Sequence, residues 1–266
     1  MPENERFERG AENYAAYLET PAGRLRADLA FANLQDFICM SQPKDRDKAS
    51  LHALDLGCGT GATGVRLARL GMQVTLLDSS PVMLGIAKRT VEEAGLSDKV
   101  VLRHGDANQL TDLFPGASFD VIVCHNLLEY LDDPMAALCG AARTLRDSAA
   151  ILSVLVRNRA GEVFKAAIQA RDLVAAEANL TAEWGQESLY GGRARLFTAE
   201  SLRVMLKASS LAVIAERGVR VLADYLPAGI SRSAQHERIL ALERKLSCLP
   251  EYAGVARYIQ CCASLA

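Results

Sequence analysis

No Cys-x-x-Cys pair occurs in the 266 residues, and the seven cysteines, at 39, 58, 124, 139, 248, 261 and 262, are odd in number and scattered. That spacing speaks against a zinc site or a disulfide framework and leaves buried free thiols in a cytoplasmic protein as the expectation; no metal site is expected. Long apolar runs are missing too. The longest, Ala149 to Val156, falls well short of the ~20 residues that span a bilayer and suits a buried strand. The opening Met-Pro-Glu-Asn-Glu-Arg lacks a basic stretch followed by an apolar core, so no secretory signal is expected. Charge of one sign is equally scarce: 30 Lys and Arg stand against 32 Asp and Glu, which excludes a polybasic binder taken as a whole. What the chain does have is 50% hydrophobic residues, enough for one large domain or one domain with an elaborated cap.

The first 50 residues read as a helical segment, with apolar Leu25, Leu29, Phe31, Leu34, Phe37 and Ile38, closed by the polar connector Ser41 to Ser50. From residue 51 the periodicity changes. "LHALDLG", "QVTLLD", "KVVLRHGD", "FDVIVCHNLLEYL" and "AAILSVLV" are short apolar runs, and amphipathic segments such as "ATGVRLARLG" and "PMAALCGAARTLRD" separate them. This alternation predicts βαβ units: an α/β, Rossmann-like doubly wound sheet with helices on both faces. The expected α/β domain covers 51–266, with a cap inserted at about 157–197. Beyond the cap the pattern predicts a helix at "TAESLRVMLKASS", a long strand over 211–226, a helix near Gln235 to Leu246, and an antiparallel closing strand in "VARYIQCCASLA". Sheets of this kind bind ligands beyond the carboxyl ends of their strands. Asp55-Gly57, Asp78, Asp106 and His125 all fall at such ends.

"LDLGCGTGATG" contains Gly59-x-Gly61-x-x-Gly64, a dinucleotide-type spacing, but also Asp55-x-Gly57-x-Gly59-x-Gly61. An acid two residues before the first glycine would repel a pyrophosphate and attract an ammonium or sulfonium. S-adenosylmethionine carries both cations and no phosphate. In that register Gly64 is an ordinary helix residue. Asp78, 21 residues after Gly57, can accept from ribose hydroxyls, the reading its place after the second strand favours over an ordinary helix cap, a role open also to Ser79 or Ser80. Asp106, in "HGDAN", can accept from an adenine amine with the next amide on a ring nitrogen, but the same residues are good turn formers. His125 reads equally as a site residue or as a structural histidine bonded to Asn126 or Glu129.

Asp55-x-Gly57-Cys58-Gly59-Thr60-Gly61, Asp78, Asp106-Ala107 and "HNLLEYL" together resemble the class I S-adenosylmethionine-dependent methyltransferases, over about 52–156. "AGRLRADL", "GVRVLADYL" and "LPEYAGVARYIQ" extend the resemblance to bacterial tRNA 5-carboxymethoxyuridine methyltransferases, weakest across 157–197. The resemblance implies S-adenosylmethionine as cofactor, S-adenosylhomocysteine as product and methyl esterification of a modified wobble uridine. It further implies a cofactor site of Arg26 (against the amino-acid carboxylate), Asp55, Gly57, Cys58, Gly59, Gly61, Asp78, Ser79, Asp106, Ala107 and His125. Arg220, Tyr225, Arg257 and Tyr258 lie in shared motifs and are candidate substrate residues. Arg220 and Asp224, four apart in the expected strand, could instead pair with each other.

No catalytic dyad is evident, which suits a carboxylate acceptor that is already ionised. Residues 191–257 hold eleven Lys and Arg against six Asp and Glu, so a basic cap on an acidic body could meet tRNA phosphates, or some arginines could simply solvate helix faces. A small-molecule methyltransferase with 157–197 as a lid is the alternative, followed by a cofactor-binding protein without catalysis. Neither a membrane partner nor a particular oligomeric state is specified.

Overall fold

A computed structural model describes residues 3–41, 48–116, 119–227, 229–230 and 232–266, so most of the polar connector at 41–50 lies outside the described residues. Two helices come first, α1 (Glu3–Glu19) and α2 (Pro21–Ser41). The alternating units follow: β1 (His52–Leu56), α3 (Ala62–Arg69), β2 (Gln73–Asp78), α4 (Pro81–Glu93), β3 (Val100–His104), the short α5 (Leu110–Leu113), β4 (Val121–His125), α6 (Pro134–Thr144) and β5 (Ile151–Arg157). Four further helices and strands follow β5: α7 (Arg159–Phe164), α8 (Leu173–Asn179), β6 (Trp184–Gln186) and β7 (Arg193–Arg195). The chain closes with α9 (Ala199–Ala208), β8 (Leu211–Val219), α10 (His236–Ser247), α11 (Pro250–Ala253) and β9 (Tyr258–Leu265).

Seven strands form one sheet in the order β3-β2-β1-β4-β5-β9-β8, and β6 pairs only with β7. Strands β1 to β5 are mutually parallel, whereas β9 runs antiparallel to both neighbours. The expected doubly wound sheet with an antiparallel last strand is therefore present. Its strand order reverses between β1 and β4, which opens a crevice at their carboxyl ends.

Strand alternation sorts the core into two layers. Leu54, Leu56, Ile122, Cys124, Leu152 and Val154 face α6 and α9 through Leu138, Leu202 and Leu206. Ala53, Val121, Val123 and Ile151 face the other way, onto Leu34, Phe37 and Ile38 of α2 and Val65 and Leu67 of α3. The apolar stripe expected on the N-terminal segment is thus a sheet-covering face, with Leu25 and Leu29 packed against β5, β8 and α10. Cys58, Cys124, Cys261 and Cys262 are buried free thiols, but Cys39 and Cys248 are exposed, which corrects the expectation for those two.

The long strand expected over 211–226 stops at Val219. Arg220 takes φ 60° and the chain turns into a 3₁₀ segment at Ala223–Tyr225. The cause is Glu243 of α10, whose buried carboxylate accepts from the amides of Val221, Leu222 and Ala223 at 2.7, 2.8 and 2.6 Å. Three charge-assisted bonds to consecutive amides outcompete one more strand ladder rung.

The segment after β5 docks through Gly161, where an added Cβ would stand 2.7 Å from both the Ala256 carbonyl oxygen and the Arg257 Cα. Gly161→Ala is therefore expected to lower stability by about 1–3 kcal/mol, since backbone cannot yield as a side chain does. Gly85→Ala in α4 meets nothing within 4 Å and should raise stability by up to ~1 kcal/mol. Urea denaturation of the two variants measures both effects; equal midpoints would contradict them.

Candidate functional site

β1 ends in a loop that only glycine accommodates comfortably. Gly57, Gly59 and Gly61 all have left-handed backbones, with φ 68°, 53° and 76°. The end of β2 clamps this loop. Leu77 O accepts from the amides of Gly57 at 2.8 Å and Cys58 at 3.0 Å, and Asp78 Oδ2 accepts from Gly59 N at 2.8 Å. Asp78 Oδ1 takes Ser80 N at 2.9 Å, and Ser80 caps α4 by accepting from Met83 N. Burial raises the Asp78 carboxyl, while its bonds from Ser80 and Gly59 act in the opposite direction.

Above this loop lies a cavity of about 850 Å³, open mouth included, lined by Arg26, Gly57, Gly59, Asp78, Ser79, Asp106, Ala107 and His125 among others. Eight of the eleven anticipated cofactor residues thus meet in one cavity. Asp106 caps the 3₁₀ turn Ala107–Gln109 by accepting from Asn108 N at 2.8 Å. His125 Nε2 sits 2.8 Å from Ser153 Oγ and 3.4 Å from Gln260 Nε2, so its partners are neither Asn126 nor Glu129. Those two bond each other instead, Asn126 Nδ2 donating to Glu129 Oε1 at 2.9 Å. Burial, followed by the Arg26 guanidinium, pushes the His125 imidazole down to about 3.

The other three do not line the cavity. Asp55 shares its strand face with Ala53, away from the crevice, and its Oδ2 accepts from Gly64 N at 3.1 Å in the first turn of α3. Burial lifts its carboxyl to about 7, against the Gly64 bond. The Cys58 side chain is buried with Leu34 and Val65, and Gly61 packs on Ala87 and Leu76. Gly64, expected to be unremarkable, is also constrained: a Cβ there would lie 2.2 Å from Leu76 Cδ2. It is a point of close helix–strand packing.

Arg26 of α2 is buried, at 6% exposure, yet no carboxylate lies within 4 Å of it among the described residues. Its guanidinium donates to Tyr14 Oη at 3.1 Å and stands over the rings of Tyr17, Tyr14 and Tyr258 at 4.9, 5.6 and 5.7 Å. A buried cation on a cavity wall, surrounded by tyrosines with no carboxylate beside it among the described residues, is poised for an anionic ligand group.

The candidate substrate residues are turned inward. Arg220 donates to Asp224 Oδ1 through Nε at 3.0 Å and to Tyr17 Oη at 2.9 Å. Arg257 reaches Glu162 at 3.1 Å, Asp224 at 3.3 Å and the Gly161 carbonyl at 3.0 Å. Tyr225 packs on Phe164 outside the cavity, lining a separate apolar groove. Burial alone would raise the Tyr258 phenol, but Arg26, Arg220, Arg257 and Arg157 together bring it down to about 8. The strand-face geometry anticipated for the Arg220–Asp224 pair is absent, because both residues lie past the strand end, but the pair itself forms.

Sequence reasoning missed the aromatic wall. Phe7 and Tyr14 of α1 meet Tyr130 and Tyr190, with ring centroids 5.1–5.7 Å apart. Arg157, the last residue of β5, also lines the cavity and pairs with Glu187 at 3.1 Å and Glu162 at 3.6 Å. Tyr130 stands in "HNLLEYL" and Tyr190 in "YGGRARLF", but only tertiary contact brings α1 onto them.

These features fit S-adenosylmethionine. Asp78 retains acceptor capacity at the loop, the glycine backbones leave space that a Cβ would fill at Gly57 against Leu127, and Arg26 offers an uncompensated charge for a carboxylate. A family model described as a methyltransferase domain matches residues 53–148. The chain is 26% identical over 246 residues to the tRNA 5-carboxymethoxyuridine methyltransferase of Escherichia coli K12, covering 90% of this chain and 88% of that protein. It is 34% identical over 128 residues to the ubiquinone biosynthesis O-methyltransferase of Xanthomonas euvesicatoria pv. vesicatoria, covering 48% and 52%. Among solved structures, the methyltransferase in a complex with the Trm112 activator of Haloferax volcanii shares its fold, with a TM-score of 0.64 at 18% identity over 98% of this chain and 96% of that one.

Asp55 and His125 impose opposite pH dependences. The depressed His125 leaves the folded state with fewer protons than the unfolded state between about pH 3 and 6.5, so its share of stability is lost as pH falls through that window. The raised Asp55 does the reverse, and its share is lost as pH rises from about 4 to 7. Where the two windows overlap the contributions offset, so Asp55→Asn should make stability rise with pH over this range and His125→Gln should make it fall. Urea denaturation at a series of pH values checks both signs; parallel profiles for the two variants would contradict the assignment.

Proposed function

This chain is a class I S-adenosylmethionine-dependent methyltransferase, and from that premise we propose that it methylates the carboxylate of 5-carboxymethoxyuridine at the tRNA wobble position. The observation that carries this reading is that His125, on the cavity wall, is engaged by Ser153 Oγ and Gln260 Nε2 and not by a carboxylate that would make it a base. His125 is held neutral and weakly basic at about 3, and burial pushes the Tyr130 and Tyr190 phenols further up. An amine or phenol acceptor would need a base near neutrality, whereas a carboxylate with a pKa of about 4 is already a nucleophile. The E. coli relative supports the same acceptor class, because that similarity runs along most of both chains. The ubiquinone-type relatives align with only about half of this one.

When bound, S-adenosylmethionine supplies an electrophilic methyl on a sulfonium. In the proposed site Asp78 accepts from its ribose hydroxyls, Asp106 and the Ala107 amide take the adenine edge, and Arg26 holds the amino-acid carboxylate. Gly57 and Gly59, with Ser79 and His125, shape the remaining wall. The Phe7–Tyr130–Tyr190 wall gives a planar base a face to lie on. Acceleration then comes mainly from alignment, worth about 7–11 kcal/mol in favourable cases. The same aromatic wall would also accept a planar metabolite, which keeps a small-molecule acceptor as the second reading. A cytoplasmic location belongs to the tRNA proposal; among the described residues, no helix is long and apolar enough to cross a membrane.

Incubation with labelled S-adenosylmethionine and tRNA lacking the ester should place label on the wobble uridine as a base-labile methyl ester. Label on a metabolite extract and none on tRNA would overturn the tRNA reading in favour of the second. Asp78→Ala should weaken S-adenosylmethionine binding at least tenfold in titration calorimetry, since it removes charged acceptors and frees the Gly59 amide. An unchanged affinity would show that the ribose contact lies elsewhere.

A further inference from the structure

The β6–β7 hairpin carries an outer face that methyl transfer does not use. Trp184 pairs with Arg195 and Gln186 with Arg193 across the ladder, so these four side chains share one face. Gly185 and Ala194 occupy the other face and are buried. Both guanidiniums lie over the indole, Arg195 at 4.7 Å and Arg193 at 5.3 Å from its centroid, and the ring remains 37% exposed. Among the described residues, neither arginine has a carboxylate within 4 Å. The hairpin's Glu187 is turned inward, bonding Arg157 and the amides of Leu189 and Tyr190 at 3.1 and 2.6 Å. Arg6 adds a third cation, donating to the Arg193 carbonyl at 3.3 Å.

The inward end of the same hairpin belongs to the cavity. Glu187 fixes the turn, the chain reverses through left-handed Gly191 and Gly192, and Tyr190 enters the aromatic wall. Gly10 of α1 lets this turn come close, since a Cβ there would stand 2.5 Å from the Tyr190 ring. Arg193 follows Tyr190 by three residues, at most about 10 Å of extended chain. A planar ring flanked by uncompensated guanidiniums, on a protein of net charge −2, provides the two contacts a single strand offers: a base to stack and phosphates to neutralise.

We propose that this face binds the nucleotide neighbouring the one whose base enters the cavity, with its base stacked on the Trp184–Arg195 pair and its phosphates on Arg193 and Arg195. The inference rests on the tRNA reading for its biological substrate, but it is tested separately. Trp184 is the one tryptophan in the chain, so fluorescence excited at the red edge of the indole band, beyond tyrosine absorption, reports on this face. Titration with a synthetic anticodon stem-loop RNA should quench it saturably. Trp184→Ala should weaken binding of the fluorescently labelled RNA about fivefold or more by anisotropy. Arg193→Gln with Arg195→Gln should flatten the log–log salt dependence by about 0.7 per arginine. All three substitutions should leave S-adenosylmethionine affinity unchanged, which reports that the variants fold.

RNA binding with no change in Trp184 fluorescence and full affinity in the arginine variant would overturn this inference and leave the tRNA reading standing. Quenching by the stem-loop without methyl transfer to any tRNA would uphold the nucleotide-binding face and remove the substrate reading. Quenching by polyglutamate but not by RNA would assign the face to an acidic protein and overturn the proposal, as would no binding of RNA at all.

Discussion

The geometry of the site depends on the clamp that the end of β2 places on the glycine loop. The Leu77 carbonyl and the Asp78 carboxylate together engage three consecutive amides, from Gly57 to Gly59. Left-handed backbone at Gly57 and Gly59 turns those amides toward β2, which is why side chains are excluded there. With the loop held, α3 starts at a fixed place, and Gly64 can press its backbone against Leu76. Asp78 therefore acts first on its own protein. It organises a neighbouring loop with one oxygen, starts the following turn with the other, and retains lone pairs for a ligand.

A second constraint lies behind the cavity. Arg157, Arg220 and Arg257 are interleaved with Glu162, Glu187 and Asp224, and the chain of contacts joins β5, α7, the hairpin, the end of β8 and the start of β9. Lys165 also reaches Glu162, at 3.9 Å. Among the described residues Arg26 has no carboxylate within 4 Å and stays outside this network, with tyrosine rings around it. Buried pairs of this kind seldom add net stability over an apolar core, but removing one partner leaves an uncompensated charge. Their use here is positional, because the network ties the segment after β5 to the ends of β8 and β9.

The fold was legible because period-two apolar runs alternating with amphipathic segments admit few arrangements. The cofactor crevice was legible for a related reason: glycines and acids at strand ends have few structural uses. What escaped were features created by distant parts of the chain. Nothing near Arg220 announces that Glu243 will take three amides and end the strand. Nothing in "YGGRARLF" announces that Tyr190 will meet Phe7. The arginines of the shared motifs were visible as residues, but their partners, and so their inward direction, were not.

Asp55 shows how a sound assignment can stand on a misplaced contact. An acid two residues before Gly57 spoke for a cationic cofactor, yet strand parity puts Asp55 on the face of Ala53, beneath α3. Leu54 and Leu56, one step to either side, share the opposite face. The Asp55 carboxylate bonds Gly64 N, so the two glycine registers that first seemed to compete are tied together by one hydrogen bond. Gly57 and Gly59 open the cavity, Gly64 lets α3 approach the sheet, and Asp55 links the strand before the loop to the helix after it. The acid that distinguishes this loop from a pyrophosphate cradle therefore acts through the position of α3, and the positive charge that faces a ligand comes from Arg26, some thirty residues earlier.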